Sequence, residues 1–256
     1  MQYTNIVHET PKMIKQMARQ MLKDKWLQAF VFMLLITLIM NAPALILMKV
    51  DYGYFIGYMI DAYNVFIRGP LQLSMAYYFL RVFRSESVGN NLVKYGFDNG
   101  GKAISLYISI WVRTTLGFIC FIIPGLIASL KYSMAFFILA ENPEKTPREC
   151  LAESALRMNG NKMNLFKLVL SFLPLIIICA APKAIVMNWA NPGNIETYTM
   201  LIKTMDASYY SQLTNNMPYL AFIASLTSLI YELYLWTAQA GFYDLLTGGL
   251  VVTGNE

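Results

Sequence analysis

Four ionisable side chains, Arg68, Arg113, Lys131 and Glu232, stand inside otherwise apolar stretches, and their spacing limits the chemistry they can do. At the helical rise per residue, Arg113 lies about 16 Å from Lys102, Lys131 about 15 Å from Glu141 and Glu232 about 18 Å from Asp244. Each of those three therefore falls near the middle of a hydrocarbon layer about 30 Å thick. An unpaired charge at that depth costs at least about 3 kcal/mol, so the expectation is an inward-facing polar cluster. Glu232 is expected to pair with Arg113 before Lys131, because a guanidinium is less strongly hydrated and binds a carboxylate bidentately. Helical spacing adds Ser225, Ser228 and Gln239 to the stripe of Glu232, and Ser109, Gly117 and Cys120 to that of Arg113. Such a seam serves either as an ion pair that locks a bundle or as a polar site for a substrate or a proton.

Other reactive groups are sparse. His8 is the sole histidine, and Cys120, Cys150 and Cys179 sit in three separate segments, so neither a metal site nor a cofactor is expected. Cys120 and Cys179 should share a depth near the outer face, where two buried apolar thiols are expected rather than a disulfide. The chain has no Gly-x-Ser-x-Gly elbow, no Walker loop and no His-Glu-x-x-His, which argues against hydrolytic and phosphoryl-transfer chemistry. A non-enzymatic protein is the expectation.

The elements that must position these charges follow from composition. Of 256 residues, 57% are hydrophobic and 14% charged, with a mean hydropathy of +0.45. A soluble domain carries about a quarter charged residues, so the chain reads as an integral membrane protein with no room for a second, soluble domain. Its net charge of +5 does not point to nucleic acid, because the basic residues flank apolar runs rather than cluster on a polar surface. Fourteen Lys and Arg fall before the first apolar run or between runs on one side, against Lys49, Lys183 and Lys203 on the other. The positive-inside rule then places both termini in the cytoplasm.

Six spans are expected, at about 26–48, 69–83, 103–123, 126–140, 165–181 and 218–243. The first is preceded by a basic region and reads as a retained span rather than a cleaved signal peptide. Gly69 and Pro70 should split the apolar stretch 54–83 into an outer half-helix and the second span. Pro124 and Gly125 should form the tip of a tight helical hairpin that reaches the outer interface. These two sets of helix breaks are of the kind from which transporters build midplane sites, although the two halves show no internal repeat. Two amphipathic helices are also expected. Over 10–24, Thr10 is the N-cap and Pro11 the first helical residue, with Met13, Ile14, Met17, Ala18, Met21 and Leu22 on one face. Its basic face, Lys12, Lys15, Arg19 and Lys23, suits an anionic membrane surface. Over 146–159, Thr146 and Glu149 form a capping box around Pro147, and Gly160 stops the helix. The loop 182–217 should hold a further amphipathic helix on Ile195, Tyr198, Leu201, Ile202 and Met205.

Four stretches, in order and spacing, are similar to a bacterial family known as domain of unknown function 975. They are Gly69-Pro70-Leu71; Ile123-Pro124-Gly125-Leu126-Ile127; Tyr132-Ser133-Met134-Ala135-Phe136 through Ala140-Glu141-Asn142-Pro143; and Gly160-Asn161-Lys162 leading to Ser171-Phe172. The resemblance covers roughly 12–182 and implies a six-span protein of the cytoplasmic membrane, of a kind common in Firmicutes, without bringing an activity or catalytic residues. The reading as a whole is an all-α polytopic bundle with interfacial helices. Its role is accessory, regulatory or protective, through the lipid bilayer or a protein or peptide partner. The alternative is a small transporter or channel using Arg113, Lys131 and Glu232.

Overall fold

The structure is a computed structural model that describes residues 6–46, 54–86, 92–189, 223 and 226–248. The expected helix at 195–205 and the start of the sixth span lie outside the described residues. Within them the fold is all-helical, with eleven helices: α1 Pro11–Leu22, α2 Trp26–Ile46, α3 Tyr54–Phe83, α4 Leu92–Asp98, α5 Gly100–Cys120, α6 Ile122–Tyr132, α7 Ala135–Glu141, α8 Pro147–Arg157, α9 Lys162–Ser171, α10 Leu173–Trp189 and α11 Ser228–Thr247. Three segments, Trp26–Pro43, Gly100–Cys120 and Ile122–Glu141, are long and apolar enough to cross a membrane. A bent pair, Lys162–Ser171 with Leu173–Pro182, brings the number to four. Six spans are not shown among the described residues.

Burial divides the molecule into two zones. The C-terminal half of α3, all of α7, the inner faces of α1, α8 and α9 and most of α11 form one packed core around Phe79, Phe83, Phe137, Phe242 and Tyr243. Of the candidate spans, α5 and α6 lie largely outside it, whereas α2 adds Ala29, Phe32, Met33 and Ile36 and the span Ile122–Glu141 ends in α7. Only 11% of Gly100–Cys120 is buried, and Leu27, Val31, Leu35 and Leu38 of α2 present apolar side chains outward. A soluble protein does not leave apolar faces of this extent uncovered.

Local chemistry explains the short helices. Thr10 accepts from the Met13 amide and Pro11 begins α1, as its sequence signals require. Thr146 and Glu149 close a complete capping box on α8, and Gly160 adopts φ +83° beyond its end. Replacing Thr146 with Ala should cost about 1 kcal/mol and raise hydrogen exchange first in α8; unchanged exchange there would contradict the cap.

The structure changes three expected boundaries. The helix α3 runs unbroken through Gly69 and Pro70, so the half-helix break is absent. Those residues make a close crossing instead: a Cβ on Gly69 would stand 2.7 Å from the Ala103 carbonyl oxygen. The hairpin turns at Phe121, whose extended backbone (φ −166°, ψ 160°) separates α5 from α6, and not at Pro124-Gly125. Pro124 falls in the first turn of α6, where its missing N–H has no helical partner to lose. Gly125 is buried beneath the Phe118 ring, and a Cβ on Gly117 would lie 2.9 Å from Gly125 Cα. The expected fifth span is broken at Phe172, with a bend of 47° between α9 and α10, and α10 continues through Pro182.

Candidate functional site

The structure brings together two of the four charges expected inside the spans. Arg113 on α5 and Lys131 on α6 face a groove of about 510 Å³, lined also by Leu116, Pro124, Ile127, Ala128 and Tyr132. The Arg113 guanidinium donates to the Ser109 carbonyl at 3.2 Å, and both cations lie over the Tyr132 ring, at 5.8 and 5.3 Å from its centroid. Among the described residues no carboxylate lines the groove. Glu232 stands on α11, which packs on α1, α2, α3 and α10, and its side chain hydrogen-bonds Tyr231. Arg68 is exposed on α3. The expected cluster of Arg113, Lys131 and Glu232 is therefore divided between two places. Depth along a helix, which spacing gives, does not say which helices are neighbours.

A second polar constellation was not anticipated as a site. Arg84, just past the end of α3, donates through Nε to Asp244 at 2.7 Å and through an Nη to Glu141 at 2.9 Å. Glu141 also accepts from the Tyr243 hydroxyl at 2.6 Å, and the Arg157 guanidinium lies over the Tyr243 ring. Arg157 and Lys145 in turn hold Glu153, at 2.6 and 2.7 Å. Burial alone would push the Glu153 carboxyl up, but these two cations outweigh it and hold it below its ordinary range. A lowered carboxylate contributes stability at neutral pH that is lost as pH falls through the folded-state value, below about 4.5. Acid melting of the wild type should lose this contribution in that window, whereas Glu153→Gln should show a flatter acid limb. These charges sit where α3, α7, α8 and α11 end, and in the sequence they resemble ordinary flanking residues.

The basic face of α1 is arranged differently from a helix lying free in lipid. Ile14, Ala18 and Leu22 are buried, with α1 packed on α11, α3 and α9, so protein covers the centre of the apolar face while Met13 stays exposed. Lys15 donates to the Ser171 carbonyl at 3.1 Å and stacks over Phe172. Lys12, Lys15 and Arg19 line a groove of about 400 Å³ with Gln16, Ser171, Phe172, Leu175 and Tyr234, whereas Lys23 lies outside it. The segment before α1 is tied down as well: the Val7 amide donates to Asn161 Oδ1 at 2.9 Å, and Asn164 donates to the Val7 carbonyl at 2.8 Å. Asn161 is fully buried, which gives the Gly160-Asn161-Lys162 motif a structural role.

The thiols are free and do not meet. Cys150 is buried, which pushes its thiol up to about 11, Cys179 is buried, and Cys120 is exposed beside the hairpin turn, contrary to the expectation that it is covered. Among the described residues no group of His, Cys, Asp and Glu is placed to hold a metal.

Among the described residues, fold and site together define an all-helical protein with three or four helices fit to cross a membrane. Residues 102–217, a little under half of the chain, match the model of a family described as Protein of unknown function (DUF975). The match takes in three of the four resembling stretches and leaves Gly69-Pro70-Leu71 outside. No curated protein and no solved structure matches the chain.

Proposed function

We propose that this chain is a non-enzymatic protein of a bacterial cytoplasmic membrane, with both termini on the inner side, acting in an accessory or regulatory role by binding lipid or a partner. The observation that carries the reading is the division of the molecule into a packed, ion-paired core and a set of exposed apolar helices. Exposed Leu27, Val31, Leu116, Ile119 and Ile178 would be costly in water and are at ease in hydrocarbon. Lys12, Lys15 and Arg19 on one groove beside Leu175 and Phe172 supply charge and apolar surface of the kind an anionic lipid selects. The transporter alternative loses support from the separation of Glu232 from Arg113 and Lys131. Whether the α5–α6 hairpin crosses twice or not at all, both termini stay on one side.

The chain should remain in the membrane pellet after alkaline carbonate extraction. In intact cells an impermeant maleimide should label a cysteine at position 203 and spare one at position 94. Release by carbonate would refute membrane integration, and the reversed labelling pattern would refute the orientation.

A further inference from the structure

We infer that the α5–α6 hairpin enters only one leaflet of the bilayer, as a re-entrant wedge whose tip ends in the hydrocarbon and whose base is held at the inner headgroups by Arg113 and Lys131. The inference rests on the membrane reading above and goes beyond it.

Three observations converge. The first is the length of the free part. Lys131 stands nine residues from Ile122 and Arg113 seven from Cys120, so the two cations lie about 14 and 10 Å from the ends of their helices at the tip. Half of the hydrocarbon layer is about 15 Å. The second is the chemistry of the tip. From Leu116 to Ala128 the sequence is Leu-Gly-Phe-Ile-Cys-Phe-Ile-Ile-Pro-Gly-Leu-Ile-Ala, with no charged residue, Trp or Tyr. Phe121 and Ile122 at the turn are 77% and 78% exposed. A tip reaching the far interface would meet water and headgroups with these side chains, where aromatic anchors and polar residues are the rule. The third is what flanks the base. The Ser154 hydroxyl of α8 donates to the Lys131 carbonyl at 2.9 Å. The helix α8 carries Arg148, Glu149, Glu153 and Arg157 and belongs to the ion-paired zone. A helix so charged marks water or headgroups at the level of Lys131, and the hydrocarbon begins beyond it.

Half insertion also removes the cost that full crossing imposes. With the tip at the outer face, two cations whose groove holds no carboxylate among the described residues would lie near the midplane. With the tip at the centre, Arg113 and Lys131 stand within about 5 Å of the inner boundary of the hydrocarbon, from which their long side chains reach outward to phosphate groups that supply the anion absent from the groove among the described residues. The proposed occupant of the groove is the phosphate of an inner-leaflet phospholipid, and its apolar wall of Leu116 and Ile127 accepts the chain below it.

Cys120 is a native probe of the tip, because it is exposed whereas Cys150 and Cys179 are buried. In intact cells an impermeant maleimide should leave Cys120 unlabelled. A nitroxide on Cys120, in the full chain in phosphatidylethanolamine–phosphatidylglycerol vesicles, should report a depth near the bilayer centre from oxygen against nickel-chelate accessibility. Single cysteines at 113 and 131 should label in inverted vesicles. Labelling of Cys120 from outside, or a nitroxide depth at the outer headgroups, would overturn the wedge, and so would protection of both base positions in inverted vesicles. The Cys120 arms need no substitution in the hairpin, so a misfolded variant cannot hide the answer. Carbonate release of the protein would defeat the membrane reading itself, and the wedge with it, whereas outside labelling of a retained protein defeats the wedge alone.

Discussion

Arg84→Ala is expected to be among the most destabilising single substitutions in the chain, costing about 3 to 5 kcal/mol, because it leaves a buried charge without its partner. The Asp244 carboxylate is 3% exposed, and Arg84 is its ion-pair partner at 2.7 Å. Glu141 loses its cation in the same change and keeps only the Tyr243 hydroxyl among these partners. Two anions would then face each other across the ends of α7 and α11 with no charge between them. Replacing Arg84 with Met and Asp244 with Leu together should recover much of the loss, since exchanging a buried pair for apolar side chains is often close to neutral. Thermal unfolding of the detergent-solubilised protein, run as a double-mutant cycle, measures the coupling. Strictly additive losses would mean that the two side chains contribute independently.

Gly96→Ala and Gly69→Ala should each cost about 1 to 3 kcal/mol or more, through overpacking where backbones touch. A Cβ on Gly96 would collide with the Pro70 carbonyl oxygen and Ser74 Oγ, and one on Gly69 would meet Ala103 and Ile104 backbone atoms at 2.7–2.8 Å. Backbone atoms cannot turn aside as the end of a side chain can, so α4 and α5 must move off α3. Gly101→Ala is the control, since nothing lies within 4 Å of its position. The expectation is a large fall in melting temperature for positions 69 and 96 and little change for 101. A fall at 101 equal to that at 69 would assign the effect to helix propensity or the unfolded chain rather than to the crossing.

These two predictions rest on residues whose importance the sequence only partly showed. Gly69 and Pro70 stood out by type, yet they read as a helix break, because proline removes a backbone donor and usually kinks a helix. The structure gives them a continuous helix and a close crossing, an outcome that depends on Ala103 being a neighbour. Arg84, Glu141 and Asp244 were visible only as flanking charges, and nothing local says that three helix ends converge.

What the sequence by itself determined is what local spacing controls. The caps at Thr10 and Thr146, the stop at Gly160, the all-helical class and the apolar faces of α1 and α8 follow from backbone chemistry and helical periodicity, which act within a few residues. The resemblance, which covered roughly 12–182, agrees with the family match where it overlaps residues 102–217. Only the tertiary structure decided which charges meet. Arg113 and Glu232 were assigned to each other by depth, a coordinate along the helix, but pairing depends on which helices pack and on the rotation of each. With α5 packed chiefly on α6 and α3, and α11 on α1 and α3, Arg113 meets Lys131 and the Tyr132 ring instead. The ion pairs form among other residues, where helix ends bring Arg84, Glu141 and Asp244 within reach. Burial of α1 on protein has the same cause, since an amphipathic face records that it must be covered but not by what.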